Sequence, residues 1–102
     1  MFAIIALLAR LRNGKMPTAT VQSATTLAIG QAFIHTISVC VAGSTAGTIN
    51  DAASTGSAAS SNAVAGLPVV AGGLSLVKTI RCVNGITVVP GTGQTIWIDW
   101  EN

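Results

Sequence analysis

Few residues in this chain are equipped for chemistry. It offers one His (His35), three carboxylates (Asp51, Asp99 and Glu101) and two cysteines (Cys40 and Cys82). An active site needs titratable or nucleophilic groups that converge in a pocket. His35 lies in a strand-like alternation of Phe33, His35, Ile37, Val39 and Val41 against Ile34, Thr36, Ser38 and Cys40. That pattern places it on the apolar side, as a core histidine or a subunit contact, with no metal or catalytic partner at suitable spacing. Cys40 and Cys82 form no C-x-x-C or Cys/His pattern. They could pair if their strands are neighbours, but the expectation is two free thiols, because no disulfide framework and no clear secretory signal accompany them. Asp99 and Glu101 stand beside Trp97 and Trp100 in a terminal strand, which suits a solvated or interface edge better than acid–base work. Gly91-Thr92-Gly93-Gln94 opens a strand rather than a helix, so it lacks the geometry that cradles phosphate. The expected catalytic, metal and cofactor sites are therefore none, and the chain does not read as an enzyme.

The elements that carry these residues are short and strand-like. Gln94 to Trp100 alternates Ile96, Ile98 and Trp100 against Thr95, Trp97 and Asp99. Ile86 to Val89 is a β-branched run between the turn signals Asn84-Gly85 and Pro90-Gly91. Leu74 to Val83 reads as a further strand, and Thr18 to Ile29 as one strand or two. Thr45 to Asn62 is Ala, Ser, Thr and Gly with Ile49 as its only large aliphatic. It reads either as a linker or as a short strand, Gly47 to Asn50, running into an Asx turn at Asp51, with one helical turn at Ala52-Ala53-Ser54. Several short strands with frequent turns predict an all-β class: a small antiparallel β-sandwich or jelly-roll-like domain over 17–102.

Residues 1–16 form a separate N-terminal arm. Ile4, Leu7, Leu8 and Leu11 fall on one stripe at helical spacing, and Arg10, Arg12 and Lys15 lie among and after them. Two readings stand: a short helix packing on the chain's own domain or a translational extension ahead of Met16, and an anchor that docks on a partner. The second makes Ile4, Leu7, Leu8, Leu11, Arg10 and Arg12 partner-binding candidates, together with Trp97 and Trp100.

Composition bounds the partners. Only 8% of the 102 residues are charged, 50% are hydrophobic, and the net charge is +2. With no basic run to track phosphates, nucleic acid is not an expected partner. No run reaches the ~20 apolar residues of a spanning helix, so no membrane span is expected. Sixteen of the 51 hydrophobic residues are Ala and eleven further residues are Gly. Such small side chains bury little area each, so the chain reads as a subunit that completes its burial against neighbours.

Ile37-Ser38-Val39-Cys40-Val41-Ala42-Gly43-Ser44-Thr45-Ala46-Gly47-Thr48-Ile49-Asn50-Asp51-Ala52-Ala53 resembles small virion proteins of tailed bacteriophages. So does Val83-Asn84-Gly85-Ile86-Thr87-Val88-Val89-Pro90-Gly91-Thr92-Gly93-Gln94-Thr95-Ile96. Proteins of that type run from a strand through a Gly-Thr segment to an Asp corner, then an Ala/Ser-rich loop and a closing hairpin opened by Asn-Gly. The resemblance covers roughly residues 30–98 and excludes the arm. It implies a β-sandwich, often trimeric, of the capsid decoration (cement) or short-fibre head type. The implied partners are further copies of the chain, as a homotrimer, and the major capsid protein or another virion protein. The implied location is the virion, assembled in the host cytoplasm. A fibre or collar subunit that binds a host surface or glycan is the alternative.

Overall fold

In a computed structural model of the chain, which describes residues 17–74 and 79–102, nine strands build two antiparallel sheets. The strands are β1 (Thr18–Val21), β2 (Thr25–Ile29), β3 (Ala32–Val41), β4 (Gly47–Asn50), β5 (Ala63–Leu67), β6 (Gly72–Leu74), β7 (Ile80–Cys82), β8 (Gly85–Val89) and β9 (Thr95–Glu101). One sheet runs β1-β9-β3, with β6 and β7 both pairing with β3 at its far edge. The other runs β2-β8-β4-β5. The arm, and with it Ile4, Leu7, Leu8, Arg10, Leu11 and Arg12, lies outside the described residues.

The topology follows from one long antiparallel ribbon. β4 pairs with β5, β3 with β6 and β7, β2 with β8, and β1 with β9, each pair enclosing the last around the loop at 51–62. Rolling that ribbon adds the β3–β9 and β4–β8 ladders and divides it into two sheets. This is the jelly roll, with β6 and β7 sharing one strand position. Thr18 to Ile29 forms two strands, one in each sheet.

Between the sheets lie Ile34, Ile37, Val39, Ile49, Leu67, Ile86, Val88, Ile96 and Ile98, all nearly solvent-free, with Trp100 closing the core at the β9 end. Burying each such aliphatic contributes on the order of 1.5–3 kcal/mol. β9 alternates as expected, with Ile96, Ile98 and Trp100 inward and Thr95, Trp97, Asp99 and Glu101 outward.

β3 departs from the expectation. Its buried residues are Ala32, Ile34, Ile37 and Val39. The register against β9 shifts between Ile34 and Thr36 and again between Val39 and Val41. An extra residue in a strand reverses the facing of everything on one side of it. Phe33 and His35 therefore face outward, and Val41 is exposed. The apolar-side placement of Phe33, His35 and Val41 is corrected accordingly.

The segment at 45–62 is an ordered element, not a linker. β4 gives way at Asp51 to a loop with two single-turn 3-10 helices, Thr55–Ser57 and Ser60–Asn62. The first turn starts after Ser54, whose Oγ accepts from Ser57 N at 3.2 Å, so the helical turn sits just beyond the expected Ala52-Ala53-Ser54. The hydroxyl caps the orphan N–H groups there, which Ala52 or Ala53 cannot do.

The sandwich has two ends. The upper end gathers the connections at 22–24, 42–46, 68–71 and 90–94. The lower end gathers Pro17, residues 30–31, the 51–62 loop, 83–84 and Asn102.

Candidate interaction surfaces

The ionisable side chains cluster by sheet. Among the described residues, His35, Arg81, Asp99 and Glu101 all stand on strands of the β1-β9-β3 sheet, on its outer face. The ladder sets their spacing: Phe33 opposite both Arg81 and Glu101, Thr36 opposite Asp99, and Ser38 opposite Trp97. His35 Nε2 lies 3.2 Å from Glu101 Oε1, and its Nδ1 lies 3.5 Å from Thr79 Oγ1. Asp99 Oδ1 is buried with no hydrogen-bond partner among the described residues. Trp97 and Phe33 are half-buried on the same face. Trp100 is turned into the core, so its ring serves the fold, and of the two tryptophans only Trp97 presents a surface. No group of three or more His, Cys, Asp or Glu able to hold a metal occurs among the described residues. No helix there is long and apolar enough to cross a membrane.

Asp51 belongs to the lower end. Its Oδ1 accepts from the backbone N–H groups of Val83, Asn84 and Gly85 at 3.0, 2.7 and 3.3 Å. Burial pushes its carboxyl up, but the three N–H donors outweigh that and hold it below the ordinary 3.8. The turn it grips needs Gly85. A side chain there would collide with the carbonyl oxygen of Ala28, and the backbone φ of +151° disfavours any L residue. Asn50 extends the tie, its Nδ2 donating to Ala59 O and to Asn62 Oδ1, both at 2.8 Å. Thr87 Oγ1 donates to Ala52 O at 2.9 Å, which fastens the loop over the outer face of the β2-β8-β4-β5 sheet.

The upper end is held without charge. Gln94 is 1% exposed. Its Oε1 accepts from Gly91 N at 2.7 Å, and its Nε2 donates to Pro68 O at 2.6 Å and to Leu67 O at 3.4 Å. One side chain thus joins the β8–β9 turn to the end of β5. Gly91 abuts the carbonyl of Thr45 so closely that a Cβ would overlap it.

Both ends leave aliphatic side chains in solvent. Val41, Val69 and Val70 are exposed at the upper end, and Ile29 and Val83 at the lower. Gly43 N donates to Val69 O at 3.0 Å, which brings the upper valines' segments together.

The cysteines do not bond. Both are free, with Cys40 exposed and Cys82 buried. Cys82 sits opposite Ala32, eight positions along β3 from Cys40. At about 3.4 Å per residue that separation far exceeds the ~7 Å limit between Cα atoms for a disulfide. Burial, reinforced by the negative charge of Asp51, pushes the Cys82 thiol up to about 11.

Gln94 and the outward turn of His35 are the features that sequence reasoning missed. A glutamine three residues after Gly91, at the mouth of a hairpin, was the available signal for the first. The second had none, because bulges leave no compositional mark.

The chain matches no family model, no curated protein and no solved structure.

Proposed function

We propose that this chain is a non-enzymatic structural subunit of a tailed-bacteriophage virion. Its role is that of a capsid decoration (cement) protein, which assembles as a homotrimer and stabilises the head by packing at major-capsid-protein interfaces. The observation that supports this reading most is the set of exposed aliphatics, Ile29, Val41, Val69, Val70 and Val83, on a domain with so little charge. Exposed apolar residues grouped in one place, as Val41, Val69 and Val70 are at the upper end, mark contact surfaces, and obligate interfaces are the more apolar class. Jelly rolls occur among viral capsid and lectin domains alike, so surface chemistry, not fold, must choose between them.

A second reading, a fibre or collar subunit that binds a host glycan, is favoured by the outer face carrying Trp97, Phe33, Asp99 and the His35–Glu101 pair. Aromatic planes beside carboxylates suit a saccharide. Quantitative mass spectrometry of purified particles separates the two. Copies on the scale of the capsid lattice support decoration. A few copies per particle, with glycan binding lost in Trp97→Ala, support the second reading. Sedimentation equilibrium tests the trimer, and a stable monomer at micromolar concentration refutes it.

A further inference from the structure

Asn84 closes the turn between β7 and β8 at the lower end, and Gly85 opens β8. The pair is chemically reactive as well as structural. Asparagine is thermolabile, and a glycine after it puts no side chain in the way of attack by its own backbone nitrogen. In that reaction the bond from Gly85 N to Asn84 Cγ forms and the bond from Cγ to Nδ2 breaks. The N–H proton passes through solvent to the leaving nitrogen, which departs as ammonia. Water then opens the cyclic imide at either carbonyl and leaves aspartate or isoaspartate at position 84. Asn84 is exposed to the water that the reaction consumes.

The fold holds the nucleophile back. Gly85 N donates to Asp51 Oδ1 at 3.3 Å, and Val83 N and Asn84 N donate to the same oxygen at 3.0 and 2.7 Å. Attack requires Gly85 N to give up its proton. A carboxylate at this distance opposes that, because the hydrogen bond would be lost and two negative charges would face each other. Asn84 is tied again through its carbonyl, which accepts from Gly30 N at 2.8 Å. Gly85 is buried, and a Cβ on it would collide with the carbonyl oxygens of both Ala28 and Ala52. It therefore has little room to rotate toward Asn84 while the turn is closed.

We propose that Asn84 is a latent modification site, a deamidation site that Asp51 keeps closed, and that its conversion makes opening of the lower end irreversible. The product sets a second carboxylate on the turn whose N–H groups Asp51 grips. Isoaspartate also lengthens the backbone there by a methylene group, so the three donors no longer converge on one oxygen. The inference is independent of the virion reading, since it concerns only this turn and the residue that fastens it.

Peptide mapping by mass spectrometry of the full-length protein, held at mildly alkaline pH, tests it. The map separates Asn84 from Asn13, the other asparagine followed by glycine. Wild type unfolded in urea should acquire both aspartate and isoaspartate at 84, whereas native wild type should keep the amide. Native Asp51→Ala should convert at Asn84 roughly 5–30-fold faster than native wild type, the factor by which losing such a tie raises the open population. Asp51→Asn, which keeps the side-chain shape and removes the charge, replaces it if the alanine variant does not fold. Ile98→Val, a core truncation in β9, weakens the whole domain without touching the turn and should leave Asn84 close to its wild-type rate. Equal rates at Asn84 in native and unfolded wild type overturn the proposal, as do Asp51 variants no faster than wild type. Acceleration by Ile98→Val as large as that of the Asp51 variant also overturns it, because global unfolding would then control the site.

Discussion

The two ends of the sandwich are fastened by opposite chemistry. At the lower end one carboxylate, Asp51, collects three backbone N–H groups and holds the 83–85 turn against the 51–62 loop. At the upper end a neutral, fully enclosed glutamine does the corresponding job, helped by glycines that let backbones touch. A charged tie tolerates partial exposure but answers to pH. A neutral buried one is indifferent to pH and unforgiving of substitution, because its partners have no water to turn to.

Gln94→Leu should therefore have the largest effect. It strands Gly91 N and Pro68 O, and a loss of about 3 kcal/mol is expected in urea denaturation. The loss should be the same at neutral and acid pH, and a strongly pH-dependent loss would break the contrast. Asp51→Ala comes next, at about 1–2 kcal/mol near neutrality, discounted because the carboxylate is only half-buried. Its folded carboxyl titrates lower than its unfolded one, so its stabilisation is complete above the ordinary 3.8 and disappears as pH falls through the folded value. Wild type and variant should converge in stability in strong acid. If they stay apart there, the tie is not electrostatic.

The thiols, one toward each end of β3, sharpen the same comparison by reactivity. Alkylation of the native protein near neutral pH should label Cys40 alone, and denaturant should release Cys82, whose thiol stays protonated up to about 11. Intact mass after each step counts the labels. The smallest effect on stability belongs to Val41→Ser and Val70→Ser, within about 0.5 kcal/mol. Their signature should be weakened self-association in sedimentation. An unaltered oligomer would remove the upper valines from the proposed interface.

Much of the architecture was legible in the sequence. β9 announced itself because period-two alternation of Ile96, Ile98 and Trp100 survives wherever a strand is regular. β8 was bracketed by Asn84-Gly85 and Pro90-Gly91, whose turn preferences are intrinsic. The end of β4 at Asp51 was visible, but the carboxylate grips the N–H groups at 83–85 rather than making the expected local Asx turn, and that was not, since a contact across 32 residues or more belongs to tertiary structure. β3 misled because its bulges shift the phase, making Phe33 and His35 surface residues. Trp100 offered the same aromatic as Trp97 in sequence, and only its inward position in β9 separates the core ring from the one available to a partner. Composition indicated apolar surface to spare, but not that it collects at the two ends.

The nested ribbon also sets the order in which the molecule can form. β4 and β5, joined through the 51–62 loop, meet at short sequence separation, whereas Thr18 waits for Asp99. β9 lies between β1 and β3 rather than at an edge. During synthesis, β1 leaves the ribosome early with no strand to join it and must wait for nearly the whole chain, while β3 can pair only with β6 and β7 until β9 emerges. Non-local pairing of this kind folds slowly, because loop closure comes before the contacts that reward it. Until β9 arrives, the unpaired strands of the first sheet are open to pairing with other chains. A chain truncated before Thr95 should thus leave β1 without a partner and β3 held only by β6 and β7, and the place to look for misassembly is the nascent polypeptide.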